Sequence, residues 1–156
     1  MANDALGKLA GALRSLHREL ADRARRDVEQ QRGSVIPPGE WLQQLVADRE
    51  LAWLRALSEL IVDLDVFLEA DPAVADDDAA AVRGEVERLL DPAAASVAGT
   101  FASRYWPYVH DEPRVGVAHG EVRQALERLP APADVNEAQS LHERHGWTAA
   151  RRHRGG

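Results

Sequence analysis

Three predicted helices each carry a polar side chain where the apolar pattern calls for a hydrophobic one. His17 falls within a leucine stripe, Asp65 lies inside a broad apolar face, and His119 lies among valines. A buried carboxylate must be paired or neutralised, so Asp65 is expected to meet a base from another helix. The bases that could pair with it are His17, His119, Arg104, Arg114 and Arg123. With Ser58, one heptad before Asp65, the predicted interior polar cluster comprises His17, Ser58, Asp65, Arg104, His119 and Arg123.

The cluster has three interpretations. The favoured one is structural, with Asp65 accepting hydrogen bonds that set the register of the helices. The second is a metal or proton-transfer site made of His17, Asp65 and His119, since two imidazoles and a carboxylate can hold zinc or iron with one open position. The third is that the helices face differently and the side chains never meet.

Most recognised catalytic patterns are missing. No Glu-x-x-His or His-Glu-x-x-His pattern occurs, and there is no Walker A loop, Gly-x-Ser-x-Gly elbow or dinucleotide-binding glycine motif. The absence of cysteine excludes disulfides and thiolate metal sites. His142 and His145 could share a helix face, but without a third ligand they are expected at the surface. No cofactor is predicted, apart from a metal at the interior cluster.

Composition and charge also exclude several partners. The 156 residues carry a net charge of −7 and are 45% hydrophobic, which suits one globular domain. Arginines along the first helix alternate with acidic residues, which indicates a solvated face and not a nucleic-acid interface. No apolar run reaches the roughly 20 residues of a membrane span, and no secretory signal is visible. We therefore expect a cytoplasmic protein.

Apolar spacing by threes and fours predicts an all-α bundle of five to six helices. Long helices near 4–32, 49–70 and 113–129 should form its centre, with Asn3 or Asp4 capping the first and Gly33 ending it. In the helix at 49–70 the apolar residues cover roughly 200°, against about 100° for an ordinary surface helix. This helix is therefore expected to be the most buried one.

Shorter helices are expected between these long ones. One carries Trp41, Leu42, Leu45 and Val46 on one side; another starts at Asp76–Asp78; a third runs from about Ala94 and is kinked or ended by Pro107.

The predicted bundle domain covers residues 1–129. Residues 130–156 form a Pro-rich linker, a weak helix and a loosely attached basic tail. Trp147 in this tail is expected either to anchor it on the bundle or to contact another chain.

Several short stretches make the chain similar to an uncharacterised family of short all-helical bacterial proteins. The similarity spans about residues 10–129 and implies a helical fold, but no activity. The stretches are Trp53-Leu54-Arg55, Ser58-Glu59-Leu60-Ile61-Val62, Arg104-Tyr105 and His119-Gly120-Glu121-Val122-Arg123.

The sequence favours a non-enzymatic interaction or regulatory module that self-associates or binds a protein partner. The broad apolar face of the helix at 49–70 and the missing catalytic motifs support this prediction. The alternative is a helical bundle that binds a metal or small ligand through the interior polar cluster. A binder of small hydrophobic ligands is a third class, and it requires a cavity.

Overall fold

The computed structural model describes residues 2–132, which form six α-helices and two short 3-10 helices without a strand. The all-α prediction is confirmed. None of these helices combines the length and apolar character that crossing a membrane requires. The predicted weak helix, Trp147 and the basic tail lie outside the described residues. The α-helices are α1 (Ala2–Arg32), α2 (Pro38–Ala47), α3 (Arg55–Ala70), α4 (Asp76–Leu89), α5 (Phe101–Asp111) and α6 (Pro113–Glu127), and the 3-10 helices are Arg49–Leu54 and Pro92–Ser96.

The first helix, α1, lies at the centre of the fold. It packs chiefly against α6 and α3, and also touches α4 and the first 3-10 helix. Its leucines recur every three or four residues, so they share one face, and that face is sealed from solvent. The segment 49–70 has the larger share of buried residues, as expected, with eight of 22 against eight of 31 in α1, but the central position belongs to α1. The fully buried leucines of α1 are Leu6, Leu9, Leu13, Leu16 and Leu20.

The segment predicted as one helix over 49–70 is divided at Leu54. Asp48 begins the 3-10 part by accepting a hydrogen bond from the Glu50 backbone N–H at 2.9 Å. Leu51 and Leu54, three residues apart, are both buried, which fits a helix with three residues per turn. The α-helical part begins at Arg55. The apolar arc of roughly 200° assumes the α-helical rotation of about 100° per residue, so it applies only to α3.

Different residues define the two ends of α1. Asn3 does not cap the helix, which begins at Ala2; its side chain donates to the Asp71 carbonyl and accepts from the Val74 N–H, both at 2.8 Å. Asn3 therefore holds the α3–α4 loop against the start of α1. Gly33 ends the helix as predicted, because its φ of 77° lies in the left-handed region that glycine tolerates.

α5 carries four of the seven phenylalanine, tyrosine and tryptophan residues of the described chain, and it leads into a corner with α6. The predicted helix from Ala94 is interrupted, because Gly99 has a φ of 84° and Thr100 caps a new helix through the Ser103 N–H. Pro107 lies inside α5 and does not end it, since the helix continues to Asp111. The chain then turns at Glu112, and α6 packs back against α5.

The end of the described chain lies on α4. Arg83 donates to the Leu129 carbonyl at 2.8 Å, and a Cβ added at Gly84 would come within 3.3 Å of Pro132. Residues 129–132 therefore pass directly over α4, and a side chain at position 84 would crowd them.

The central position of α1 can be tested by shortening one side chain. Leu16→Ala should lower the free energy of unfolding by about 2–5 kcal/mol, since it leaves a cavity in a sealed core. Val62→Ala on α3 is the control, because Val62 is 59% exposed and its loss should change stability by no more than about 0.5 kcal/mol. Urea unfolding of both variants measures the difference, and equal losses would contradict this packing.

Candidate functional site

A pocket of about 610 Å³ lies where the end of α4, the second 3-10 helix, α5 and α6 meet. The described residues of its wall are apolar side chains, charged side chains and one histidine. The apolar residues are Leu90, Pro92, Trp106 and Leu126, and the polar ones are Arg83, Glu87, Arg88, Asp91, His119, Arg123 and Glu127.

His119 is held in this wall by a hydrogen bond with Tyr105. The phenol oxygen and the Nδ1 atom of His119 are 2.6 Å apart, and Tyr105 is completely buried. Burial raises the pKa of Tyr105, so the phenol keeps its proton. No other described residue hydrogen-bonds to the hydroxyl. The Tyr105 O–H therefore donates to Nδ1, and the ring proton of neutral His119 lies on Nε2.

The Nε2 atom of His119 is open to the pocket. It makes no hydrogen bond with a described residue. Within residues 2–132 only Nε of Arg25 is both sealed from solvent and without a partner, so Nε2 of His119 is accessible. Burial, together with the positive charge of Arg123, lowers the pKa of His119. The site therefore presents a neutral imidazole whose free N–H is available to a ligand.

Trp106 forms the aromatic side of the pocket. Its ring packs edge-on against His119 with centroids 5.0 Å apart, and its Nε1–H donates to the Leu90 carbonyl at 3.1 Å. The second contact joins α5 to the end of α4. These two contacts fix the position of the indole, so its ring can serve as a rigid apolar surface.

Most of the charged groups around the pocket already have partners. Arg83 pairs with Glu87 at 2.7 Å, and Arg88 pairs with Glu85 at 2.7 Å. Asp91 accepts the Ala93 N–H at the start of the second 3-10 helix.

Two exposed charges, Arg123 and Glu127, have no hydrogen bond or ion pair with a described residue. Of the charged side chains in the pocket wall, these two are therefore the ones left to meet a ligand.

Asp65 does not face the interior. Its side chain is 42% exposed and pairs with Arg14 of α1 at 2.7 Å. A base from another helix does meet it, but none of the predicted candidates does. The salt bridge lies at the edge of the α1–α3 contact, so Asp65 marks the rim of the apolar arc and not its middle.

The remaining predicted cluster residues also lie apart. His17 is half-buried and has no hydrogen-bond partner among described residues. The Ser58 hydroxyl donates to the Arg55 carbonyl at 3.1 Å. The guanidinium of Arg104 lies 5.9 Å from the centre of the Trp53 ring. Within residues 2–132 no three His, Asp or Glu side chains form a group that could hold a metal. The metal trio of His17, Asp65 and His119 is therefore not assembled, and of the six cluster residues only His119 and Arg123 share a site.

An ionic cluster around the buried carboxylate of Glu112, which the sequence did not reveal, joins α1 to the corner between α5 and α6. Glu112, 8% exposed, accepts from Arg23 at 2.9 Å and from Arg26 at 3.4 Å. The Arg23 hydrogen bond holds the pKa of Glu112 below its usual value. Asp27 accepts from Arg23 and from Tyr108. Nothing in the sequence near Glu112 indicates this pairing, because its partners lie nearly 90 positions earlier.

No protein-family model, curated protein or solved structure matches this chain. The geometry of the pocket is therefore the basis on which a function can be inferred.

Stability should fall as the pH decreases through the range where histidine titrates. Burial lowers the pKa of both His17 and His119. As the pH falls below the ordinary histidine pKa of about 6.5, these two rings therefore bind protons in the unfolded chain at a higher pH than in the folded chain. The two neutral rings stabilise the fold fully above that value, and this contribution is lost as the pH falls through the folded pKa values.

We expect the free energy of unfolding from urea titrations to be lower at pH 5.5 than at pH 7.5. His119→Gln and His17→Asn should each reduce that difference. His110→Gln is the control, because His110 is exposed and the difference should persist. An identical pH dependence in all four proteins would refute the role of the buried rings.

Proposed function

We propose that this protein is a non-enzymatic binding module whose pocket beside His119 takes a small organic molecule. The observation that carries the proposal is the fixed His119 ring, with Nδ1 occupied by Tyr105 and Nε2 open to a partly apolar pocket. A volume of about 610 Å³ suits a small ligand, since such sites span roughly 300–1,000 Å³. Four of the eleven described lining residues are apolar, and they supply the kind of hydrophobic surface on which ligand sites rely.

The polar groups of the pocket favour binding over catalysis. A general base needs a free lone pair on the atom that faces the substrate, and the proton on Nε2 of His119 removes it. No carboxylate of a described residue hydrogen-bonds to the ring, as it would in a nucleophile–histidine–acid arrangement. Among the described residues that line the pocket there is also no serine, threonine or lysine that could act as a nucleophile.

The test is an NMR screen of the full chain with small aromatic compounds that include neutral, cationic and anionic members. We expect at least one compound to bind with a Kd on the order of 1 mM or tighter and to shift the resonances of Leu90, Trp106 and His119. Glu127→Trp should abolish this binding, because the indole would occupy the pocket.

Glu121→Trp provides a matched control for the blocking variant. Glu121 is also an exposed glutamate on α6, but it borders a separate groove between α1 and α6. Binding should persist in this variant. The proposal is refuted if no compound of any charge shifts the pocket resonances, or if both variants bind equally well.

Self-association is a second candidate function, and the exposed face of α2 supports it. Trp41 points into the core, but Leu42 and Val46, one turn apart, are 63% and 73% exposed. The only charged residue of α2 is Glu40, which pairs with Arg32 at 2.6 Å. Two α2 helices of an acidic protein could therefore meet about a two-fold axis without like charges opposing each other.

Sedimentation velocity at concentrations up to about 1 mM tests this association. One short helix offers less area than the roughly 800 Å² per partner of a stable interface, so a weak dimer is expected. The average mass should rise above 17.1 kDa with concentration, and Leu42→Gln should prevent the rise. Val117→Gln on α6 (Val117 is 66% exposed) should leave it intact. A protein that stays monomeric throughout contradicts the candidate.

A further inference from the structure

The pocket beside His119 offers hydrogen-bond donors where a ligand would carry its polar group. Nδ1 of His119 accepts from Tyr105, so the nitrogen that faces the pocket is an N–H. The opposite tautomer would require the Tyr105 hydroxyl to find another acceptor, and no described residue supplies one. The buried phenol therefore sets the polarity that the pocket presents.

A second donor lies one helical turn further along α6. Arg123 follows His119 by four residues, so both side chains lie on the same face of the helix. The guanidinium has no described partner, whereas those of Arg83 and Arg88 are engaged by Glu87 and Glu85. The charge of Arg123 is felt at His119, since it contributes to lowering the pKa of the ring.

Because both side chains project from one face of α6, the His119 N–H and the Arg123 guanidinium can each donate to an oxygen of the same carboxylate. A cationic ligand at His119 would meet the ring N–H and the charge of Arg123 with its own positive group. The carboxylates of Asp91 and Glu127 also line the pocket, but Asp91 accepts the Ala93 N–H and Glu127 lies a further turn along α6 from His119. Arg123 is the charged side chain that acts on the His119 ring, so the surroundings of its N–H favour an anion.

We propose that the pocket selects small organic carboxylates with an aromatic or apolar body, which His119 and Arg123 bind through the carboxylate. This inference rests on the proposed binding function and narrows the class of its ligand. Trp106, Leu90 and Leu126 provide the surface for the body of the ligand. Inorganic phosphate leaves that surface uncovered, and we expect it to bind more weakly than an aromatic acid.

The experiment compares three probes that share one ring: benzoate, benzamide and benzylamine. Titrations of the full chain at pH 7.5 and constant ionic strength are followed by NMR at the pocket resonances. Benzoate should bind roughly fivefold or more tightly than benzamide, and benzylamine should bind most weakly. Inorganic phosphate is titrated in parallel and should bind less tightly than benzoate.

Arg123→Gln tests the guanidinium. It should weaken benzoate binding roughly fivefold and leave benzamide binding nearly unchanged, so the preference for the acid is lost. The matched control is Arg114→Gln, an exposed arginine on the same helix that borders the groove between α1 and α6. Its binding of both probes should equal that of the parent protein.

Tyr105→Phe tests the orientation of the imidazole. In the parent protein the ¹⁵N resonances of His119 should show a protonated Nε2 and an unprotonated Nδ1. The variant frees Nδ1, so both tautomers should appear and the preference for benzoate should shrink. Far-UV circular dichroism confirms that the variant is folded, and a parent protein with its proton on Nδ1 would overturn the inference.

The outcomes separate this inference from the function on which it rests. If benzamide or benzylamine binds in the pocket as tightly as benzoate, carboxylate selectivity is wrong and the binding function stands. If no probe shifts the pocket resonances, both are wrong. If benzoate shifts only the groove near Arg114, the anion site has been misplaced.

Discussion

The sealed leucine face of α1 is the constraint around which the other helices are arranged. A helix of 31 residues is about 46 Å long, roughly twice the length of α3, the next longest helix in the described chain. No single neighbour can cover it, so α3, α4 and α6 share the task. Near its start Asn3 holds the α3–α4 loop, and near its end Arg23 and Arg26 hold Glu112. The long helix thus fixes the relative positions of both ends of the bundle.

The pocket depends on this arrangement, although α1 contributes no side chain to its wall. Glu112 anchors the corner between α5 and α6 to α1, and α6 then lies back along α5. This return brings Tyr105 and His119, which are 14 positions apart, within 2.6 Å of each other. The Trp106 contact with Leu90 adds the end of α4 as the third side. A site with one fixed imidazole is therefore produced by helix packing alone.

The three polar residues that interrupt the apolar stripes show which features helical periodicity predicts and which it does not. Periodicity gives the angle of a side chain around its own helix but not where the neighbouring helix ends. Asp65 lies at the margin of a real apolar arc, and there the long side chain of Arg14 meets it in solvent. His119 does reach a half-buried position, but Tyr105, its partner, looks in the sequence like any other core aromatic. His17 is half-buried and meets no polar partner among the described residues.

Helix content, most helix boundaries and the leucine face of α1 follow from the sequence, because they depend on interactions between residues three or four positions apart. The stops at Gly33 and at Asp71 before Pro72 are equally local, since they arise from the backbone preferences of single residues. The choice of α1 as the centre, the burial of Glu112 and the pairing of Tyr105 with His119 were decided only by the tertiary structure. These features depend on which helices lie side by side, and contacts between residues as far apart as 23 and 112 leave no periodic trace in the chain.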